Sequence, residues 1–210
     1  MTNPMITPMN TPKLIQIAHA DAAAMRAELI AGLTAQPATL APKYLYDALG
    51  SRLFSAITEL PEYYPTRTEA AIFRQYLGEM AAELGPVETL VDLGAGNCEK
   101  AARLLAALSV QRYVAVDISA DYLRESLERL QYEHPQRQML GIGLDFSQTL
   151  TLPADVGSGP RTLFYPGSSI GNFTPAEALV FLRQVHAASK GGQLLIGVDL
   201  VKPDSVLVPA

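Results

Sequence analysis

The sequence predicts an α/β chain built on a parallel sheet with helices on both faces, preceded by a helical segment. Three observations predict it. From residue 89 onward, short β-rich apolar runs alternate with helix-patterned stretches, the signature of βαβ units joined by right-handed crossovers. The run Thr89-Leu90-Val91-Asp92-Leu93-Gly94-Ala95-Gly96 ends in two glycines and passes at once into an apparent helix from Asn97. Before residue 85 the apolar residues recur at helical spacing instead. With 210 residues and 49% hydrophobic content, the chain can bury one good core, so one main domain is the default.

Residues 1–12 are rich in Pro, Thr and Asn, and 1–20 reads as a flexible leader. A helical pattern covers 21–33, and 35–42 breaks it. A second helix is expected over 44–60, where Leu45, Leu49, Leu53, Phe54, Ile57 and Leu60 recur mostly at helical spacing before Pro61. Thr66-Arg67-Thr68-Glu69 matches the capping box that opens a helix, here to about Leu84, and Gly85-Pro86 ends it. Residues 21–84 therefore form an N-terminal helical segment. Strands are expected at 89–94, 113–118, 139–146, 162–166 and 193–200, making 85–210 the sheet domain. The last helix is well marked, with Thr174 as N-cap, Pro175 at the first helical position and Gly191-Gly192 beyond its end. After the fifth expected strand little follows, although doubly wound sheets usually continue with a further helix and strand. The chain is expected to be a fragment or truncated form.

A net charge of −5 and no cluster of Lys and Arg argue against a nucleic-acid partner and favour a small molecule. The single cysteine, Cys98, excludes an intramolecular disulfide and fits a reducing compartment. There is no secretory-type apolar core near the start and no run of about 18 apolar residues. A soluble, cytoplasmic protein without a membrane partner is expected.

Gly94 and Gly96 at a strand-to-helix turn let backbone N–H groups approach a ligand, and ligands of open α/β sheets sit at the carboxyl ends of the strands. An ordinary turn that happens to use two glycines is the plain alternative. A dinucleotide fingerprint needs a small residue at the third position of G-x-G-x-x-G/A, where this chain has Glu99, an acidic group that would oppose a pyrophosphate. S-adenosylmethionine has no phosphate. It demands a close backbone approach, an acceptor for two ribose hydroxyls, and an acceptor plus a flat apolar surface for adenine. Asp117 ends the next strand 23 residues after Gly94, near the ribose-acid offset of roughly 20; N-capping the following helix is its other reading. Asp145-Phe146 ends the third strand, either to meet adenine or as a strand-end acid beside a core ring. Lys100 can lie near the methionine carboxylate or remain a solvated lysine. The fourth strand runs into Tyr165-Pro166-Gly167-Ser168-Ser169-Ile170-Gly171-Asn172. Gly167 and Ser168 can open the backbone beside a ligand, and Asn172 is either an uncharged acceptor or a turn former.

Tyr46-Asp47-Ala48-Leu49-Gly50-Ser51, Leu60-Pro61-Glu62-Tyr63-Tyr64-Pro65-Thr66-Arg67-Thr68-Glu69, Gly167-Ser168-Ser169-Ile170-Gly171-Asn172 and Asp199-Leu200-Val201-Lys202 are four motifs in one order. Together they resemble the histidine Nα-methyltransferases of ergothioneine biosynthesis, over about residue 21 to the C-terminus. The resemblance implies a Rossmann-like class I methyltransferase that converts L-histidine to its trimethylated betaine, hercynine, and leaves S-adenosylhomocysteine, with no metal required. It implies that Gly94, Lys100, Asp117, Asp145 and Phe146 hold the cofactor, that Tyr63 meets the imidazole, and that Asn172 meets and orients the reacting α-amino group. Tyr46 would help close the cavity. It also implies further C-terminal strands and most of a substrate domain that this chain lacks. The family's first glycine loop reads Gly-Ser-Gly-Thr-Ser-Glu-Lys, against Gly94-Ala95-Gly96-Asn97-Cys98-Glu99-Lys100 here.

Overall fold

A computed structural model of the chain describes residues 10–17, 22–45, 48–118 and 120–207. In chain order these form β1 (Lys13–Gln16), α1 (Ala22–Thr34), a 3-10 turn (Pro42–Leu45), α2 (Ala48–Thr58) and α3 (Tyr64–Leu84). There follow β2 (Thr89–Leu93), α4 (Glu99–Ala107), β3 (Arg112–Asp117), α5 (Ala120–Glu133) and β4 (Gln138–Gly143). The chain continues through β5 (Thr162–Tyr165), α6 (Pro175–Ser189), β6 (Gln193–Ile196) and one helical turn, α7 (Asp204–Leu207). The contacts divide the chain into two units, residues 1–18 with 72–198, and residues 19–71 with 199–210.

The first unit is a six-stranded, all-parallel sheet in the order β1-β4-β3-β2-β5-β6. Parallel strands covered on both faces must be apolar on both, and alternation along each strand sorts the side chains. Leu90, Tyr113, Ala115, Met139 and Phe164 pack with Phe73 and Leu84 of α3, Leu104 and Leu105 of α4, and Leu123 and Leu127 of α5. Val91, Leu93, Val114, Val116, Leu140, Ile142, Leu163 and Tyr165 pack with Phe181, Val185 and Ala188 of α6. The strand order reverses at β2, which pairs with β3 on one side and β5 on the other. The glycine turn therefore leaves the sheet at its topological switch point, where such folds bind ligands.

α6 starts as the sequence predicts. Thr174 Oγ1 accepts from the Glu177 N–H at 3.3 Å, and the Glu177 carboxylate accepts from the Thr174 N–H at 2.8 Å. Other boundaries differ from the expectation. Lys13–Gln16, inside the expected leader, is the edge strand β1, paired in parallel with β4. Four residues are too few for an alternating pattern to stand out, and the pairing comes from residues more than a hundred positions away. β4 ends at Gly143 and β6 at Ile196, short of Phe146 and Leu200, because the chain turns out of the sheet beyond them. The second helix is shorter than expected, α2 following the separate 3-10 turn. α3 begins at Tyr64, so Thr66 lies in its first turn instead of capping it. Pro65 suits a first turn, and the Arg67 guanidinium donates to the carbonyls of Leu60 and Pro61 just upstream. Residues 199–210 group with the helical unit, not with the sheet.

In the second unit Lys43 pairs with Glu28 at 2.9 Å, and Phe54 meets Tyr63 edge-on with ring centroids 5.9 Å apart. Asp199 accepts from the Tyr64 hydroxyl and from Lys202, whose ammonium lies 4.9 Å from the Tyr64 ring centroid. These partners hold the Asp199 carboxyl below its ordinary range, Lys202 first and Tyr64 next. Among the described residues no helix is long and apolar enough to cross a membrane.

Candidate cofactor and substrate site

At the end of β2 the N–H groups of Gly94 and Ala95 both donate to the Val116 carbonyl, at 2.9 and 3.1 Å, tying the turn to β3. The turn is made by left-handed backbone at Gly94 (φ 73°) and Gly96 (φ 54°), which glycine adopts without the Cβ penalty. The same conformation at Cys98 (φ 60°) opens α4. Beneath the turn lies a buried cluster in which the Tyr113 hydroxyl donates to Asp92 Oδ2 at 2.8 Å. Burial, then the Asp92 charge, raise the Tyr113 hydroxyl well above its ordinary value. The same two causes push the Cys98 thiol up to about 12, so it is a neutral packing group.

Asp117 bridges the ends of two strands. Its Oδ2 accepts from the Gly96 N–H at 3.0 Å and its Oδ1 from the Ile118 N–H at 2.8 Å. Burial raises its pKa, and those two backbone donors pull it back down. Each carboxylate oxygen has capacity for another donor. The Ala120 N–H at the start of α5 goes to the Gln16 carboxamide oxygen at 3.0 Å, so this cap is supplied by β1 and not by Asp117.

Phe146 lies beside the turn, since a Cβ on Gly94 would stand 3.6 Å from its Cζ. Its ring also sits 6.1 Å from the rings of Tyr165 and Phe181, so one edge belongs to the core. Asp145 closes a local turn, accepting from the Ser147 N–H at 3.2 Å and from Gln148 Nε2 at 2.9 Å. Lys100, in the first turn of α4, reaches the loop after β5, where a Cβ on Gly167 would stand 2.8 Å from its Nζ. Ser168 adopts φ 56° and donates its N–H to the Gly197 carbonyl at 3.2 Å. A 3-10 turn, Ser169–Asn172, follows, and Asn172 at its end is exposed with its carboxamide making no hydrogen bond among the described residues.

The fold thus brings Gly94, Gly96, Asp117 and Phe146 together at the ends of β2, β3 and β4. Lys100 and Gly167 meet at the end of β5, with Ser168 and Asn172 next along the chain. Tyr63 belongs to the second unit, half-buried just before α3, and its N–H donates to the Leu60 carbonyl at 3.2 Å. Tyr46 lies outside the described residues. Two polar residues to which the sequence assigns no role border the site, Asp92 under the glycine turn and Gln16 against the β3–α5 turn. A carboxylate inside the apolar run 89–93 was the available signal for the first; nothing local marks the second.

A parallel sheet whose switch point carries a glycine turn bonded to a strand-end acid defines the class of α/β folds that bind nucleoside-bearing ligands. Within that class, residues 25–210 match the family described as histidine-specific methyltransferase, S-adenosylmethionine-dependent, and the chain belongs to that family. It is 42% identical over 198 residues to a histidine N-alpha-methyltransferase of Mycolicibacterium smegmatis, which covers 92% of this chain and 61% of that protein. To the histidine N-alpha-methyltransferase of Mycobacterium tuberculosis it is 40% identical over 193 residues, 89% of this chain and 59% of the other. The chain therefore spans about three fifths of the length of these relatives. The fold is that of the magnesium protoporphyrin IX methyltransferase from Synechocystis, solved with bound S-adenosylmethionine, at a TM-score of 0.54, 16% identity and 76% coverage of each chain.

Proposed function

We propose that this chain binds S-adenosylmethionine at the carboxyl ends of β2–β5 and serves an N-methyltransferase acting on the α-amino group of L-histidine, giving hercynine in the ergothioneine pathway. The observation that carries the reading is the Asp117 carboxylate, held at the switch point by the Gly96 and Ile118 N–H groups with acceptor capacity left on both oxygens. A carboxylate so placed suits the paired hydroxyls of a ribose. Gly167 leaves room where a side chain would press on Lys100, and Gly94 supplies the left-handed backbone of the turn. The site residues thus fit the cofactor: Asp117 for the ribose, Asp145 and Phe146 for adenine, Gly94, Gly96, Lys100, Gly167 and Ser168 for the methionine end. A cytoplasmic location and a small-molecule acceptor, without nucleic acid, complete the reading.

When bound, S-adenosylmethionine supplies an electrophilic methyl group on a sulfonium, whose carbon–sulfur bond breaks as the carbon–nitrogen bond forms. The amine must be neutral to offer its lone pair. Asn172 carries an uncharged carboxamide, whose oxygen accepts from the amine N–H and fixes the direction of the lone pair without retaining the proton. Alignment of this kind is worth up to about 7–11 kcal/mol at the favourable limit. For Tyr46 and Tyr63 as substrate-binding residues, the support is the resemblance of their motifs alone.

Calorimetric titration of S-adenosylmethionine and of L-histidine, each alone and then together, tests the proposal, with mass spectrometry of the product. Both ligands are expected to bind and methylated histidine to form. Cofactor binding without any response to histidine would identify a cofactor-binding unit that does not act alone, and preference for another amino-acid amine would reassign the acceptor. Asn172→Ala should weaken histidine binding and turnover about tenfold, the loss of one good hydrogen bond, while leaving cofactor affinity within about twofold. Equal losses for both ligands would remove Asn172 from the amine.

A further inference from the structure

Gln16 ends the edge strand β1, and although the residue is exposed its carboxamide reaches across the end of β4 to the turn after β3. Gln16 is in register with Gly143, and Gly143 with Asp117, so the three share one level of the sheet. A Cβ on Gly143 would stand 2.0 Å from Gln16 Oε1, so the bare backbone of Gly143 makes the room for this carboxamide. From there Oε1 accepts from the Ala120 N–H at 3.0 Å, and Nε2 donates to the Ile118 carbonyl at 3.2 Å. The Ile118 N–H is in turn given to Asp117 Oδ1. Asp117 is therefore fastened on one side to the glycine turn through Gly96 and on the other to a residue whose carbonyl Gln16 holds.

We propose that Gln16 is a positioning residue for Asp117. By pinning the Ile118 carbonyl and the start of α5, it restrains Ile118 from its C-terminal side, while the N–H of the same residue is given to the Asp117 carboxylate, and so it limits the drift of the lone pairs left for a ligand's ribose hydroxyls. The proposal rests on the reading of Asp117 as the ribose acceptor. The function follows from the sheet register: an edge strand contributed by the start of the chain tunes a carboxylate two strands away, over a sequence separation of 104 residues between Gln16 and Ala120.

The test compares the affinity of the chain for S-adenosylhomocysteine with that for its 2′-deoxy analogue. The unmutated chain is expected to prefer the ribose form. Gln16→Met, similar in shape but unable to make either bond, should reduce that preference about fivefold, the effect of one ordinary hydrogen bond, while leaving the deoxy analogue's affinity within about twofold. Gly143→Ala should reproduce the effect with Gln16 intact, because the new methyl displaces the carboxamide, and it provides the test if Gln16→Met does not fold. Equal weakening of both ligands, or none, overturns the positioning role. Amide exchange without ligand separates the two readings. Exchange at Ala120 should speed up in Gln16→Met, and no change there overturns the proposal alone. If the unmutated chain shows no ribose preference, the Asp117 reading falls, and this proposal with it.

Discussion

The proposed hold on the cofactor's ribose concentrates at one carboxylate, Asp117. Burial raises its pKa above the ordinary value of 3.8, opposed by the Gly96 and Ile118 donors. The folded chain therefore holds the Asp117 proton more tightly than the unfolded chain, and this group's contribution to stability falls as pH rises through its raised pKa. Affinity runs the other way, because the ionised form is the better acceptor for hydroxyls. Cofactor affinity should decline as pH is lowered from neutrality through that raised pKa. Asp117→Asn should weaken S-adenosylhomocysteine at least about tenfold, since hydrogen bonds to a charged group contribute about 1.5–3 kcal/mol each, and should flatten that pH dependence. Calorimetry at several pH values checks both, and an Asn variant that keeps the slope would move the titrating group elsewhere. Asp117 and the two glycines are legible in the sequence because spacing along consecutive βα units is enough to find them. Gln16 is not, because its partners come from two other strands' ends and nothing around position 16 announces them.

α6 carries the other half of the candidate chemistry at its entrance. Asn172 ends the turn that leads directly into the Thr174 cap, and the capping box fixes where that turn stops. The hydroxyl and backbone N–H of Thr174 hold the Glu177 carboxyl below its ordinary range, so this contribution is present above the ordinary pKa and lost as pH falls through the depressed one. Thr174→Ala should cost about 0.5–2 kcal/mol, lowering the melting temperature by about 2–4 °C for each kcal/mol. Its effect on histidine should exceed its effect on the cofactor, measured by the same pair of titrations; a larger loss for the cofactor would place the cap's influence on Gly167 and Ser168 instead. Elements of this kind read well from sequence when the start signal and the helix coincide. α3 reads less well because the Thr66–Glu69 pattern falls inside a first turn that Pro65 and Arg67 have already set. β2 to β6 are found because each is an apolar run bounded by glycine, proline or polar turns, whereas β1 takes its strand character from the exposed edge of β4.

At the scale of the molecule, the two packed faces make the sheet a base, while the residues proposed to hold the cofactor sit at one end of it, at the end of β3, in the first turn of α4 and in the adjoining loops. All of them lie in the unit formed by residues 1–18 and 72–198, and Tyr63 lies in the unit formed by 19–71 and 199–210. Ligand linkage turns that division into a measurement. At a free concentration about a hundred times its dissociation constant, S-adenosylhomocysteine stabilises whatever it binds by about 2.7 kcal/mol, a rise of about 5–10 °C in melting temperature for a chain of this size. That stabilisation should register as slower amide exchange in the segments that carry the site, namely the glycine turn, the end of β3 and the loop after β5. α1 and α2 should exchange as before, because none of the proposed cofactor residues belongs to them. Protection spread equally over both units would mean that the cofactor site draws on the helical unit as well, and the assignment of its residues to the sheet's carboxyl end would need that unit's side chains added. Protection confined to α1 and α2 would refute it.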